Sequence, residues 1–298
     1  MTTEKNKPRI AVSFSGGKTS AVMTKLIHDN FKATHDISTV FANTGCEHEE
    51  TLKFVDRCDK HFGWGVVWVE AVVDPEVGKG IRHKVVTFET ASRNGEPFED
   101  DIKKHGLPGP GYLHCTRDLK EGPISDYLKN AKGWERGSFL TAIGIRADEV
   151  DRVSSDAKKR GFIYPLIKAG WTKELIKEEV AKWPFNLELK GEHYGNCVWC
   201  WKKSLRKLMT LAKDDPKIFD FPRRMEETYS LKFTGRNDDG KRFFFRGRIT
   251  SDEIISLSSS TRFQPYADEL PPLFTYGKVD PLDIGASCGE SCEIGSDD

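Results

Sequence analysis

The residues Ser13-Phe14-Ser15-Gly16-Gly17-Lys18-Thr19-Ser20 join an apolar run at 10–12 to a stretch with Val22, Met23, Leu26 and Ile27 at helical spacing. The order predicts strand, phosphate loop and helix. Two glycines remove Cβ atoms that would hold backbone N–H groups away from an anion, and the following helix N-terminus adds partial positive charge. Ser13, Ser15, Gly16, Gly17, Lys18, Thr19 and Ser20 are the candidate phosphate ligands. Gly17-Lys18-Thr19 lacks the earlier glycine that GxxxxGK[ST] requires, which excludes a Walker loop.

A second chemistry is written in cysteine. Cys197-Val198-Trp199-Cys200 places two thiolates within reach of one metal or cluster. Cys115, in Leu113-His114-Cys115-Thr116-Arg117, and the tail pair Cys288 and Cys292 supply further soft ligands, so the metal set is drawn from Cys115, Cys197, Cys200 and Cys292. Thiolate-only sites suit zinc or an iron–sulfur cluster. Cys58 follows Val55 by three on an amphipathic stretch and reads as core. Cys46, beside the Asn43-Thr44-Gly45 turn, is given no role.

Cations gather where phosphates need them. Arg117 and Lys120 open a helix after Cys115 and are candidate substrate ligands, and Arg146 follows Gly144 at a predicted strand end. Asp148 and Glu149 stand close enough to pair with Arg146 or to start a helix. Lys18 and Arg146 are the candidate groups for stabilising charge on a reacting phosphate.

Positioning these residues requires an alternating order of elements. After the first strand and helix come a strand at 38–42, a helix at 49–62 and a strand at 66–69, a β-α-β-α-β series. Such a series predicts an α/β fold with a parallel twisted sheet, helices on both faces, and ligands beyond the carboxyl ends of the strands. The Ser15 loop and the Asn43-Thr44-Gly45 turn both lie at such ends. Periodicity fades across 74–113, where Gly106-Leu-Pro-Gly-Pro-Gly111 reads as a flexible loop that could serve as a lid. A helix at 119–128, strands at 139–143 and 162–166 and a helix at 172–183 follow. Asp215-Pro216 opens another helix, and 233–249 reads as a hairpin turned at 237–240. The division is a nucleotide-binding domain with the cysteine site, 7–213, and a smaller C-terminal extension, 214–298.

Composition narrows the function classes. The chain has 298 residues, 37% hydrophobic, with 46 basic and 46 acidic side chains, which predicts neither a polyanion binder nor a membrane-surface protein. No apolar run approaches a membrane span, and the first residues carry no signal-like apolar segment, so a cytoplasmic protein is expected. Seven cysteines without such a signal point to metal or redox use. Residues 241–248, Lys-Arg-Phe-Phe-Phe-Arg-Gly-Arg, alternate base with aromatics and keep nucleic-acid contact open as an alternative.

Together these positions resemble the phosphoadenosine phosphosulfate reductase family, within the PP-loop group. Residues 15–20 are similar to its SGGxDS signature, with Thr19 where ATP-cleaving members usually carry Asp. Asn43-Thr44-Gly45 matches its turn after the second strand, and Thr141-Ala-Ile-Gly-Ile-Arg146 its Thr-Gly-x-Arg segment. The general look of 13–20, 197–204 and the tail is also that of members encoded by phages and mobile elements. The resemblance implies an adenine nucleotide, ATP or an adenylyl sulfate, with Asn43, Thr44, Gly144 and Arg146 in its site. It also implies a [4Fe-4S] cluster, because cluster-containing members carry a Cys-Cys pair and later a CxxC. Here His114-Cys115 takes the first place, leaving the fourth iron to a tail cysteine, to His114, or open for sulfur or substrate. With ATP, Mg²⁺ is expected and pyrophosphate leaves; with an adenylyl sulfate, a thiolate attacks sulfur and sulfite is released. Cys288-Gly289 only loosely matches the tail cysteine that performs this attack, and a thiol or sulfur-donor protein is the implied partner. The remaining alternatives are a nucleic-acid sulfur-modification component and a non-catalytic nucleotide-binding protein with structural zinc.

Overall fold

The computed structural model describes residues 7–76, 78–109, 114–231, 242–268, 274–275, 278–279 and 281–283. Strand β1 (Arg9–Ser13) leads into helix α1 (Lys18–Phe31), followed by β2 (Asp36–Asn43), α2 (Glu49–Phe62) and β3 (Val67–Val73). Then come β4 (Ile81–Val86), α3 (Glu96–His105), the single turn α4 (His114–Thr116), a π-helical stretch at Arg117–Glu121 and α5 (Gly122–Asn130). The chain continues through β5 (Leu140–Ala142), α6 (Ala157–Arg160), β6 (Phe162–Ile163), α7 (Pro165–Lys168) and α8 (Lys173–Val180). Helices α9 (Leu205–Asp214), α10 (Asp220–Tyr229) and α11 (Ser251–Ser258) complete the larger elements, before the short pair β7 (Phe274–Thr275) and β8 (Lys278–Val279).

Six strands form one sheet in the order β4-β3-β2-β1-β5-β6, parallel throughout except for antiparallel β4 at its edge. The chain builds outward from β1 in one direction, then returns to β1's other side with β5. The crevice where loops after β1 and β5 diverge is the place where such sheets bind ligands. Alternation along β1 fixes the layers: Ile10 and Val12 pack with Val22, Met23 and Ile27 of α1 and Ile176 and Val180 of α8. Ala11 faces the other way, into a layer with Ile124, Tyr127 and Leu128 of α5. Each such fully buried aliphatic side chain stabilises the sheet by about 1.5–3 kcal/mol. Cys58 is buried against the second helix's own layer, as its spacing predicts.

Three expectations need correction. Residues 74–113 are not irregular, because they hold β4 and α3, whose Phe98 and Ile102 are buried. The glycine-rich loop is no free lid along its described part, since Leu107 is 1% exposed and sits in the core; 110–113 lie outside the described residues. The strand at 162–166 stops at Ile163, because Pro165 takes the first position of α7 instead.

Beyond residue 213, Phe219, Met225, Phe244, Phe245 and Ile254 share one apolar cluster with Cys46, Phe98, Cys197 and Trp199. The expected turn at 237–240 lies outside the described residues. The described part of that hairpin, from Arg242, forms no strand but a single helical turn at Arg246–Arg248, bracketed by one bridge between Phe245 and Ile249. Phe244 and Phe245 are buried, which removes two of the three rings that would have stacked bases.

Candidate functional site

Gly16 has φ +82°, a left-handed conformation, and a Cβ there would lie 2.7 Å from Thr51 Cγ2 and 3.1 Å from Val55 Cγ2. Both the turn and the close approach of α2 therefore require glycine. The loop is tied shut by Ser20, whose Oγ accepts from Ser15 N at 3.2 Å and Ser15 Oγ at 2.8 Å while donating to Gly17 O at 3.0 Å. Gly17 caps α1 in extended conformation with no side-chain partner for the helix's first N–H groups. Those donors are left to a ligand or solvent. Ser20 is fully buried, so its part is to shape the loop rather than to touch a ligand.

On one side of the loop a cavity of about 340 Å³ is lined by Lys18, Thr19, Arg146, Lys173, Ile176, Lys177 and Glu192. Arg146 comes from the end of β5 and donates to Thr19 Oγ1 at 3.4 Å and to Asp148 at 3.0 Å; Glu149 lies 3.4 Å from its Nη2. Asp148 and Glu149 thus pair with Arg146 and also open a helical turn. Burial works against the Asp148 carboxylate, but the hydrogen bond and charge of Arg146 outweigh it and hold its pKa below the ordinary value. Lys173 and Lys177 lie one turn apart on α8 and were not among the predicted ligands. Lys173 pairs with Glu192. Like charges at this spacing weaken a helix by a few tenths of a kcal/mol, a cost that an anion in the cavity would reverse. Nothing in the sequence around α8 marks these lysines, because an amphipathic helix carries surface lysines anyway.

On the other side, a second cavity of about 340 Å³ is lined by Ser13, Phe14, Ser15, Ala42, Glu47, Lys120, Ile124 and Asn196. Lys120 and Asn196 also line a third cavity, of about 420 Å³, together with Thr44, Cys115, Thr116, Cys197, Trp199, Cys200, Trp201 and Lys202. The three predicted cysteine ligands, from two segments far apart in the chain, therefore face one space. That space shares a wall with the phosphate loop.

The wall is built by the turn after β2. Thr44 Oγ1 lies 3.4 Å from Cys197 Sγ, and Val198 N donates to Cys46 O at 3.0 Å. Glu47, which sequence reasoning passed over, accepts from Thr44 N at 2.9 Å and Thr44 Oγ1 at 2.8 Å and so fixes the turn. Asn43 is fully buried, its amide donating to Glu70 at 2.7 Å and to Ser92 O at 2.9 Å. It braces the turn from behind instead of reaching a ligand. Asn196 adopts φ +60°, which asparagine tolerates better than most residues, and this kink aims Cys197 back at the turn. Lys203, 2% exposed, donates to the carbonyls of Gly195, Cys197 and Val198 at 2.8, 2.9 and 2.5 Å. One buried ammonium thus holds the whole CxxC loop.

Burial, reinforced by Glu47, pushes the Cys197 thiol up to about 12. Burial and then Cys197 push Cys46 well above the ordinary thiol value. A metal centre is what turns such thiols into thiolates. Among the described residues, Asp101, His105 and Asp118 are the one trio of possible ligands whose donor atoms lie within 4.8 Å of one another, so the three sulfurs are spread more widely. Thiolates on a single zinc at about 2.3 Å stand roughly 3.8 Å apart. Three soft thiol donors facing one cavity suit zinc or an iron–sulfur cluster.

Several predicted ligands take other places. Arg117 is turned to Asp118, donating to both its oxygens at 2.7 Å, and lines neither loop cavity. His114 Nδ1 donates to Asp101 Oδ2 at 2.7 Å, and His114 is not part of the cysteine cavity's lining. Gly144 is buried backbone between Ile143 and Ile145. Cys288 and Cys292 lie outside the described residues.

A family model described as the phosphoadenosine phosphosulfate reductase domain matches residues 9–153, which include the loop, the turn after β2, Cys115 and Arg146. An uncharacterized nin region protein of Escherichia phage lambda is 34% identical over 288 residues, spanning 95% of this chain and 94% of its own. The chain belongs to the phosphoadenosine phosphosulfate reductase family. An uncharacterized protein of Methanocaldococcus jannaschii is 27% identical over 234 residues, spanning 74% of this chain and 42% of its own. Among solved structures, the chain is similar to phosphoadenylyl-sulfate reductase from Candida auris in its phosphate complex, with TM-score 0.37, 16% identity and coverage of 59% of this chain and 72% of that one. It is also similar to the U34-tRNA thiolase NcsA from Methanococcus maripaludis with its [4Fe-4S] cluster, with TM-score 0.36, 17% identity and coverage of 85% and 81%. As a member of this family the chain has the six-stranded α/β sheet and the PP-loop described above. No helix among the described residues is long and apolar enough to cross a membrane.

Proposed function

We propose that the protein is an enzyme that binds an adenine nucleotide with its phosphates on the Ser15–Ser20 loop and performs sulfur chemistry between that nucleotide and the cysteine cavity. The observation that carries this reading is the shared wall: Lys120 and Asn196 line both the cavity beside Ser13 and Ser15 and the one holding Cys115, Cys197 and Cys200. A group on the nucleotide's α-phosphate needs no long path to reach the cysteines.

Backbone N–H groups of the loop and the α1 N-terminus hold the phosphates, while Lys18, Arg146, Lys173 and Lys177 neutralise their charge. Lys120 faces the charge that develops on the leaving oxygen at the wall. Thr19 supports an adenylyl sulfate over ATP, because Arg146 donates to it where ATP-cleaving relatives carry a metal-holding Asp. In that version a thiolate attacks sulfur, the sulfur–oxygen bond to phosphate breaks, and the nucleotide leaves with the bond's electron pair. A second thiol, from the tail or from a donor protein, then releases sulfite and leaves a disulfide. Cys115, Cys197 and Cys200 would hold a [4Fe-4S] cluster, with a tail cysteine as the fourth ligand. A bound cluster would supply an iron position for sulfur, while the two thiols provide both electrons.

The test is anaerobic incubation with phosphoadenylyl sulfate or ATP, followed by product identification. Sulfite from the first supports the reductase reading; AMP and pyrophosphate from the second, with no sulfite, place the protein among AMP-forming members. Turnover of neither refutes catalysis on these nucleotides.

A further inference from the structure

Behind the helix that carries Cys115 lies a polar cluster that the nucleotide and cysteine chemistry does not use. Asp101 and His105 stand one turn apart on α3, and Asp118 lies in the π-helical stretch at Arg117–Glu121. π-Helical turns often accompany functional sites. His105 Nε2 is 3.1 Å from Asp118 Oδ2 and 4.0 Å from Asp101 Oδ1. Asp101 is fully buried, and its Oδ1 has no hydrogen-bond partner among the described residues. A buried carboxylate oxygen left in that state is costly unless something positive meets it.

We propose that Asp101, His105 and Asp118 form a site for one divalent first-row metal ion, separate from the cysteine cavity. Oxygen and nitrogen ligands about 2.1 Å from a common ion lie roughly 3.0–3.4 Å apart, and this trio needs only small side-chain movement to reach that spacing. An outer shell is already in place. His114 Nδ1 holds the other oxygen of Asp101 at 2.7 Å, and Arg117 holds Asp118 from both oxygens at 2.7 Å. Two carboxylates and one imidazole suit manganese, iron or zinc of the divalent class, not the soft metals that thiolates select. His105, with its side chain 27% exposed, is the side from which an ion enters.

The simpler account is a pair of ionic contacts with protonated histidines. It explains the 3.1 Å contact between His105 and Asp118, but it leaves Asp101 Oδ1 unpaired with the imidazole 4.0 Å away. An ion would also join α3 to the segment that presents Cys115, which follows His114 directly.

The experiment titrates the metal-stripped, nucleotide-free full chain with Mn²⁺, reading free ion by electron paramagnetic resonance and bound ion by its nitrogen coupling. Mn²⁺ is the probe because thiolates compete poorly for it. One saturable site per chain is expected, with a nitrogen coupling. The site weakens at least tenfold in His105→Gln and Asp101→Asn and is unchanged in Cys197→Ser. Because Asp101 is fully buried, the partly exposed His105→Gln serves as the second variant, and loss of the nitrogen coupling and of Mn²⁺-dependent thermal stabilisation is read there. No saturable site, undiminished binding in His105→Gln, or loss of binding in Cys197→Ser overturns the assignment.

Discussion

The phosphate loop and the cysteine cavity share a wall yet are built in opposite ways. The loop is local: Ser15, Gly16, Gly17 and Ser20 close it through hydrogen bonds that span at most five residues. The cavity is assembled from the turn at Thr44, the helix start at Cys115 and the loop at Cys197, which meet only when the sheet and its C-terminal layer are formed. A local motif fails when its own backbone is altered. An assembled one fails when any of its distant supports is lost, and the same contrast decides which substitutions should separate the two functions.

The largest expected effect is at Gly16. Gly16→Val places side-chain atoms against Thr51 and Val55 and forces a branched residue into φ +82°, at a cost of about 2–3 kcal/mol. Adenine-nucleotide affinity should fall at least 100-fold by calorimetry, while iron content after reconstitution persists. Tight binding by this variant would remove the loop from the phosphate site.

Lys203→Met tests the reverse separation. Losing the ammonium takes this donor from the carbonyls of Gly195 and Val198 and leaves Cys197 O with Cys200 N alone, and should lower stability by about 2–3 kcal/mol in urea unfolding. Cluster absorbance should drop by more than half, with nucleotide affinity held within about threefold. Equal loss of both functions would show that the two regions are one cooperative unit.

A smaller effect distinguishes them by pH. Burial lowers His28, on α1 behind the loop, to about 4 from an ordinary 6.5. Between those values the unfolded chain takes up a proton that the folded chain does not, so this histidine makes stability fall as pH drops from 6.5 towards 4 and adds no further slope below. His28→Gln should flatten that part of the thermal-melting profile. An unchanged slope would assign the acid sensitivity elsewhere.

The same contrast explains what could be read from sequence. The loop, the strand order around it and the role of Cys58 follow from short-range spacing. The grouping of Cys115 with Cys197 and Cys200 was drawn from their soft-ligand type and then from the family resemblance; in the structure all three line one cavity. Glu47 and Lys203 were missed although their partners lie only three to eight residues away, because neither belongs to a recognisable motif, and Lys173 and Lys177 because an amphipathic helix carries surface lysines anyway. Arg117, read as a substrate ligand, is turned to its sequence neighbour Asp118, which takes Nε and Nη2 of its guanidinium. Asn43 was read as a ligand from its turn, but Glu70, on the neighbouring strand β3, claims its amide.

Lys120 is the residue on which the account turns, since it lines the cavities on both sides of the wall. The decisive measurement is anaerobic single turnover of the nucleotide that the wild type consumes, compared in wild type and Lys120→Ala. The shared-wall account predicts product formation at least 100-fold slower, with nucleotide affinity within about threefold and cluster absorbance intact. Unchanged product formation in Lys120→Ala would contradict it.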